Sequence, residues 1–144
     1  KLLIIGDGAQ YDIVNNTIKN SNNIELLGYL NQDEVVKYIE RSQVIIIPSH
    51  EESGPLVGLE AMASGRLVIS TKVGAMTERL KDCKNQFWFN IDDSTSLDNV
   101  LNSLLKLKSE EIESIAIQNR ERYLEHYARS IIESKYKSAI FKIF

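Results

Sequence analysis

The sequence predicts an α/β fold, a doubly wound parallel sheet flanked by helices, and three observations carry that expectation. Short apolar runs recur along the chain, each continuous rather than alternating, as parallel strands buried on both faces require. Helical patterns lie between the runs, so strand and helix alternate and the sheet should be parallel with right-handed crossovers. All seven glycines and both prolines fall within the first 74 residues, each near the end of an apolar run, leaving the second half unpunctuated.

The expected strands, in order, are Leu2 to Ile5, Ile24 to Leu27, Val44 to Ile47, Leu67 to Ile69 and Phe87 to Phe89. The first runs into Gly6-Asp7-Gly8, which reads as a tight strand-to-helix turn. After the second, Asn31-Gln32-Asp33-Glu34 has the form of a capping box, with Val35, Val36 and Ile39 on one face of the helix that follows. After the third comes Pro48 to Gly65, read as strand end, flexible loop, helix and glycine stop. Asp92-Asp93 forms a polar turn before a helix whose Leu97, Val100, Leu101, Leu104 and Leu105 make a core-packing stripe. Ser109 is the expected cap of a second helix, and a third carries Ile131, Ile132, Tyr136 and Ile140 toward the core.

The 144 residues, 43% apolar and 26% charged, are the size of one globular domain with one core. Seventeen basic residues against 20 acidic give a net charge of −3, with no Lys/Arg track, which argues against a nucleic-acid partner. Cys83, the only cysteine, permits neither an internal disulfide nor a cysteine-based metal site; it reads as an ordinary semi-buried thiol in a reducing compartment. No run approaches the roughly 20 apolar residues of a membrane span. The abrupt start at Lys1-Leu2-Leu3-Ile4-Ile5-Gly6 reads as the middle of a longer protein.

Ligands of an open parallel sheet bind outside the carboxyl ends of its strands. The segments there are Gly6-Asp7-Gly8, Gly28-Tyr29, Pro48 to Gly54, Ser70 to Gly74 and Asn90 to Asp93, all small, polar or acidic. The densest continues through Pro48-Ser49-His50-Glu51-Glu52-Ser53-Gly54-Pro55-Leu56-Val57 to Glu60. Pro55 suits the first helical position, making Gly54 or Ser53 the cap. The Leu56 and Val57 amides then point out of a helix start, a ready anion site that Gly54 lets a diphosphate approach closely. Glu60, one turn beyond Leu56, can reach back toward the ligand. Because a carboxylate repels phosphate, Glu60 should accept from neutral hydroxyls such as a ribose diol, and Glu52 is placed for the other end. A nucleoside diphosphate bound to a sugar has that order of parts.

Other signals are weaker. Gly6-Asp7-Gly8 lacks the third glycine of a dinucleotide fingerprint, since residue 11 is Tyr. Asp92-Asp93 is better explained as a turn than as metal ligands. His50, at a strand end beside the proposed site, is either a proton-transfer group or a residue lining the pocket.

The block from Pro48 to Gly65 resembles the signature of family 4 of the GT-B retaining glycosyltransferases, in which two glutamates are separated by seven residues, here Glu52 and Glu60. The likeness extends through Ile4 to Gly8, Leu27 to Leu30, Val68 to Thr71 and Val73-Gly74, so it covers nearly the whole chain. It implies a Rossmann-like GT-B C-terminal domain, residues 1–144, forming the donor-binding part of a two-domain enzyme. It further implies that Glu60 holds the donor ribose, that Glu52 lies against the donor sugar as the catalytic carboxylate, and that Gly54, Pro55, Leu56 and Val57 receive the diphosphate. Ser49, His50 and Ser53 would complete the donor loop, and Tyr29 and Leu30 would meet the base. The chain departs from the family pattern at three sites: Gly54-Pro55 stands for Phe-Gly, Leu67 for a frequent proline, and Ala75 for the second glycine of a pair. The family's upstream Arg and Lys and its N-terminal acceptor domain lie outside this sequence.

The resemblance therefore implies metal-independent hexosyl transfer from a UDP-, GDP- or ADP-sugar to a sugar or lipid-linked acceptor, with retained anomeric configuration and no cofactor, as in polysaccharide biosynthesis. The expected partners are the nucleotide-sugar donor and the N-terminal acceptor domain of the same protein. The expected location is cytoplasmic, with peripheral association at the inner membrane face for the full-length enzyme. The alternatives on the same architecture are a nucleotide-sugar epimerase, a phosphorylase-like enzyme or a non-catalytic nucleotide-binding domain.

Overall fold

The computed structural model of the chain describes residues 1–141. The chain divides into two compact units, Lys1–Tyr38 and a second that begins at Ile39. Both are α/β with parallel strands, as the continuous apolar runs require.

The first unit holds β1 (Leu2–Ile5), α1 (Tyr11–Ile18), β2 (Ile24–Gly28) and the opening turns of α2 (Gln32–Arg41). β1 and β2 pair in parallel from Leu2 opposite Ile24 to Ile5 opposite Gly28, and an ion pair from Lys1 to Glu25 secures the open end. The Gly6–Gln10 segment is the expected tight connection: the Gly6 amide bonds the Gly28 carbonyl at 2.8 Å and α1 begins at Tyr11. The capping box is present as read. Glu34 accepts the Asn31 amide at 2.9 Å, while Asn31 Oδ1 accepts the Glu34 amide at 3.0 Å. The expectation that every strand is buried on both faces fails for β1. With β2 as its one pairing neighbour, it leaves Leu2 and Ile5 exposed.

In the second unit, β3 (Val44–Ile47), β4 (Leu67–Ser70) and β5 (Phe87–Trp88) form a parallel sheet with β4 in the centre, buried along its whole length. α3 (Leu56–Ala63) crosses from β3 to β4 and ends as the sequence indicates, with the Gly65 amide bonding the Met62 carbonyl and the Arg66 amide that of Ala61. α4 (Met76–Arg79), α5 (Ser94–Leu104), α6 (Ser109–His126) and α7 (Arg129–Ile140) follow. Ile47, Ala61, Met62, Val68, Met76 and Leu80 form the core, with Val57, Trp88, Tyr123 and Tyr127 packed against it.

One polar group completes this core. Before β5 begins, the buried Asn85 side chain takes the place of a strand beside Val68, accepting its amide at 2.8 Å and donating to its carbonyl at 2.7 Å. Asn119 on α6 donates to Asn85 Oδ1 at 3.0 Å and to the Arg66 carbonyl at 2.9 Å, tying α6 to both ends of the β4 entry.

Asp93 caps α5, accepting the Ser96 amide at 2.9 Å, so Asp92-Asp93 is the turn the sequence indicates. Ser109 is not a cap: it is the first residue of α6, and the Lys108 amide before it is taken by the Glu111 carboxylate at 2.9 Å. The acidic residue three positions on settles the helix start one residue earlier than expected. The core-facing stripes also fall short. Leu105, just past α5, is exposed, as are Tyr136 and Ile140, because α7 packs chiefly against α6 and only Ile131 and Ile132 in its first turn are half-buried. No helix among the described residues is long and apolar enough to cross a membrane.

Candidate functional site

The carboxyl ends of β3, β4 and β5 converge on the loop from Pro48 to Pro55. Thr71, just past β4, donates its hydroxyl to the Ser49 carbonyl at 2.7 Å. The Ala75 amide donates to the Ser53 carbonyl at 3.1 Å. From the turn after β5, Asp92 Oδ1 lies 3.7 Å from His50 Nε2, with both side chains well exposed. The sequence segments Pro48 to Gly54, Ser70 to Gly74 and Asn90 to Asp93 are therefore one edge in space.

Gly74 is the closest point of that contact. It has φ of +48°, and a Cβ there would lie 2.3 Å from the Glu52 carbonyl oxygen and 2.5 Å from that of Ser53. Only glycine gives both the backbone conformation and the clearance. The Glu52 and Ser53 carbonyls are thus turned inward on Gly74 and Ala75, while both residues are exposed.

The helix start differs from the sequence reading in one respect. Pro55 is the N-cap itself, with φ −60° and ψ 120°, and Leu56 is the first helical residue. Neither Ser53 nor Gly54 caps it, and no side chain does. The extended ψ lets Pro55 turn its carbonyl into the helix, where it accepts the Gly58 amide at 3.1 Å. The ring fixes only φ, which suits either position. Proline here forfeits no helix-start donor, and the Leu56 and Val57 amides are left without a backbone acceptor among the described residues.

Around this start, Leu56 is 70% exposed while Pro55 is buried and Val57 packs on the core. Glu60 is half-buried one turn along α3, with no ion-pair partner among the described residues, and Glu52 is exposed in the loop. Tyr29 and Leu30 belong to the first unit, directly after β2. Tyr29 is exposed and Leu30 half-buried.

Sequence reasoning missed Arg79. It sits at the end of α4, buried at 8% exposure, with Nη1 donating to the Pro55 carbonyl and Nη2 to the Gly54 carbonyl at 3.3 Å. Burial holds its guanidinium below the ordinary arginine range, with Tyr127 opposing the shift. Its one sequence signal is the spacing from Met76, which places residue 79 on the inward face of a short helix between the buried Met76 and Leu80.

Comparison with known proteins matches residues 1–131 to the family described as glycosyl transferases group 1. An uncharacterized glycosyltransferase of Methanocaldococcus jannaschii, MJ1178, is 36% identical over 84 residues, covering 57% of this chain and 24% of that protein. The N-acetyl-alpha-D-glucosaminyl L-malate synthase of Bacillus anthracis is 28% identical across 99% of this chain and 38% of its own length. Among solved structures, sucrose-phosphate synthase from Thermosynechococcus elongatus superposes with a TM-score of 0.83 at 19% identity, over 99% of this chain and 38% of that one. Anabaena Alr3699/HepE, solved in complex with UDP-glucose, gives 0.78 at 19% identity, over 95% and 40%. At these identities the structural likeness speaks to the fold. The chain spans well under half the length of these relatives.

Proposed function

The chain belongs to the glycosyl transferases group 1 family, and from that premise we propose that it is the donor-binding domain of a retaining glycosyltransferase. It holds a nucleoside-diphosphate sugar at the start of α3. The remainder of the enzyme supplies the N-terminal acceptor half.

The observation that carries the reading is the convergence of three strand ends on the loop that leads into a helix start whose first two amides lack backbone acceptors among the described residues. Two convergent N–H groups at the positive end of a helix suit a diphosphate. Glu60 accepts hydrogen bonds from the ribose diol, a charge-assisted interaction contributing about 1.5–3 kcal/mol. Glu52, exposed in the loop, lies against the donor sugar. As the glycosidic bond breaks, negative charge grows on the leaving diphosphate, and the Leu56 and Val57 amides are fixed in advance where it develops. Transfer with retained configuration requires the acceptor on the same face, which the other half of the enzyme provides. The complex of HepE with UDP-glucose supports a nucleotide-sugar donor, and the Bacillus anthracis relative supports a hexosyl-type transfer.

Titration with UDP, GDP and ADP, each with and without its sugar, tests this by ligand-observed NMR. Saturable, selective binding of one nucleotide is expected from this chain, with no sugar transfer until the N-terminal half is present. Absence of saturable binding to all three by the full-length protein refutes the reading.

A further inference from the structure

We propose that Arg79 is a positioning residue of this site: a buried cation that pins the two carbonyls preceding the α3 amides and thereby strengthens the grip on a diphosphate. The inference rests on the reading of the α3 start as the diphosphate site.

The argument begins with one peptide plane. The Pro55 carbonyl and the Leu56 amide belong to the same planar trans peptide, so they point in opposite directions. The Pro55 carbonyl is held both by the Gly58 amide and by Arg79 Nη1, and this keeps the Leu56 N–H aimed out of the helix start. The Gly54 carbonyl, held by Nη2, fixes the preceding peptide, so the chain enters α3 with two consecutive planes set by one planar fork.

The fork is itself held from behind. Arg122 on α6 donates from Nε to the Arg79 carbonyl at 2.7 Å and from Nη2 to the Glu78 carbonyl at 2.9 Å, so α6 anchors the end of α4. Gly54 is matched to it: a Cβ there would stand 2.9 Å from Arg79 Nη2, so the guanidinium would have to shift to make room.

The charge is the unusual part. A buried arginine ordinarily faces a carboxylate. Among the described residues Arg79 has none, only the two carbonyls and the Met76 sulfur at 3.9 Å. Its cation at the oxygen end of the Pro55–Leu56 peptide polarises the N–H at the other end toward an anion. An anion bound at that N–H in turn offsets a positive charge that the protein leaves uncompensated.

The test compares a nucleoside with its own diphosphate, using whichever base the wild-type protein binds, in Arg79→Gln and Arg79→Lys variants. Arg79→Gln is expected to weaken the diphosphate about tenfold and leave the nucleoside unchanged, while Arg79→Lys, which keeps the charge without the planar fork, recovers only part of the loss. A merely structural role would lower both affinities together, and that result, or an unchanged ratio in Arg79→Gln, overturns the proposal. Should Arg79→Gln fail to fold, the Leu56 amide resonance decides. Inorganic pyrophosphate is expected to shift it in the wild type and to shift it clearly less in Arg79→Lys, and an equal shift overturns the proposal. Wild-type protein that binds no diphosphate refutes the site itself, whereas wild-type binding untouched by Arg79→Gln refutes only the role of Arg79.

Discussion

Replacing Gly74 with alanine places one methyl group where two carbonyl oxygens already stand. At φ of +48° a non-glycine residue costs about 1–2 kcal/mol before any contact is counted. The added Cβ would meet the Glu52 oxygen at 2.3 Å and the Ser53 oxygen at 2.5 Å, roughly 1 Å inside ordinary contact. Both are backbone atoms, so no rotamer change relieves the overlap and the loop itself must move. Overpacking of this kind typically costs about 1–3 kcal/mol. The Ser53 carbonyl also accepts the Ala75 amide, so the displacement strains that bond too. A loss of about 2–5 kcal/mol corresponds to a melting point lower by roughly 6–15 °C for a domain of this size. Because the loop carries Glu52 and leads into α3, nucleotide affinity should fall in parallel. Thermal melting by circular dichroism and nucleotide titration of Gly74→Ala give both numbers. A melting point within about 2 °C of wild type, with unchanged affinity, would refute the claim that Gly74 seats the donor loop.

Three further outcomes are expected. Glu60→Gln should weaken nucleotide binding by roughly tenfold while Ser109→Ala leaves it alone, and equal affinity for wild type and Glu60→Gln would contradict the ribose assignment. Asn85→Leu strips both Val68 backbone groups and Asn119 of a buried partner, which costs about 3 kcal/mol or more, so a melting curve matching wild type would exclude the strand-substitute role. Cys83 is buried, and burial, reinforced by Asp82 against the pull of Arg122, pushes its thiol up. The native protein should react slowly with thiol reagents at neutral pH and the denatured protein quickly. The folded value lies above the unfolded one, so this contribution to stability is complete below the ordinary thiol range and declines as pH rises through the raised value. Equal labelling rates for native and denatured chains would contradict the burial.

Much of the architecture was legible because its causes are local. Short continuous apolar runs bounded by turn residues suit strands of a parallel sheet, and all five expected runs are strands, although β1 leaves Leu2 and Ile5 exposed. The Asn31–Glu34 box, the Asp92-Asp93 turn and the Gly65 stop each follow from side-chain and backbone chemistry within four residues, and the structure adds that Asp93 caps α5. Local rules slipped by one residue where two were in competition. Proline is acceptable at either of two positions of a helix start, and ψ, which the ring does not set, chose the cap for Pro55. At α6 the Glu111 carboxylate claimed the Lys108 amide ahead of any capping by Ser109. The periodicity of Tyr136 and Ile140 correctly gave a helix and wrongly gave burial, because spacing defines a face without supplying a neighbour.

The sequence by itself determined the five strands, the polar segments at the ends of β3, β4 and β5, and the Glu52 to Glu60 block, all properties of contiguous residues, but not the short α4. Tertiary structure decided what braces that block. Gly74 against the Glu52 and Ser53 carbonyls, Thr71 on Ser49, and Arg79 on Gly54 and Pro55 join positions some 20 to 25 residues apart. Their partners are backbone oxygens, which every residue carries, so no side-chain pattern announces them. They exist only once β3 and β4 lie side by side and carry the loops at their ends together.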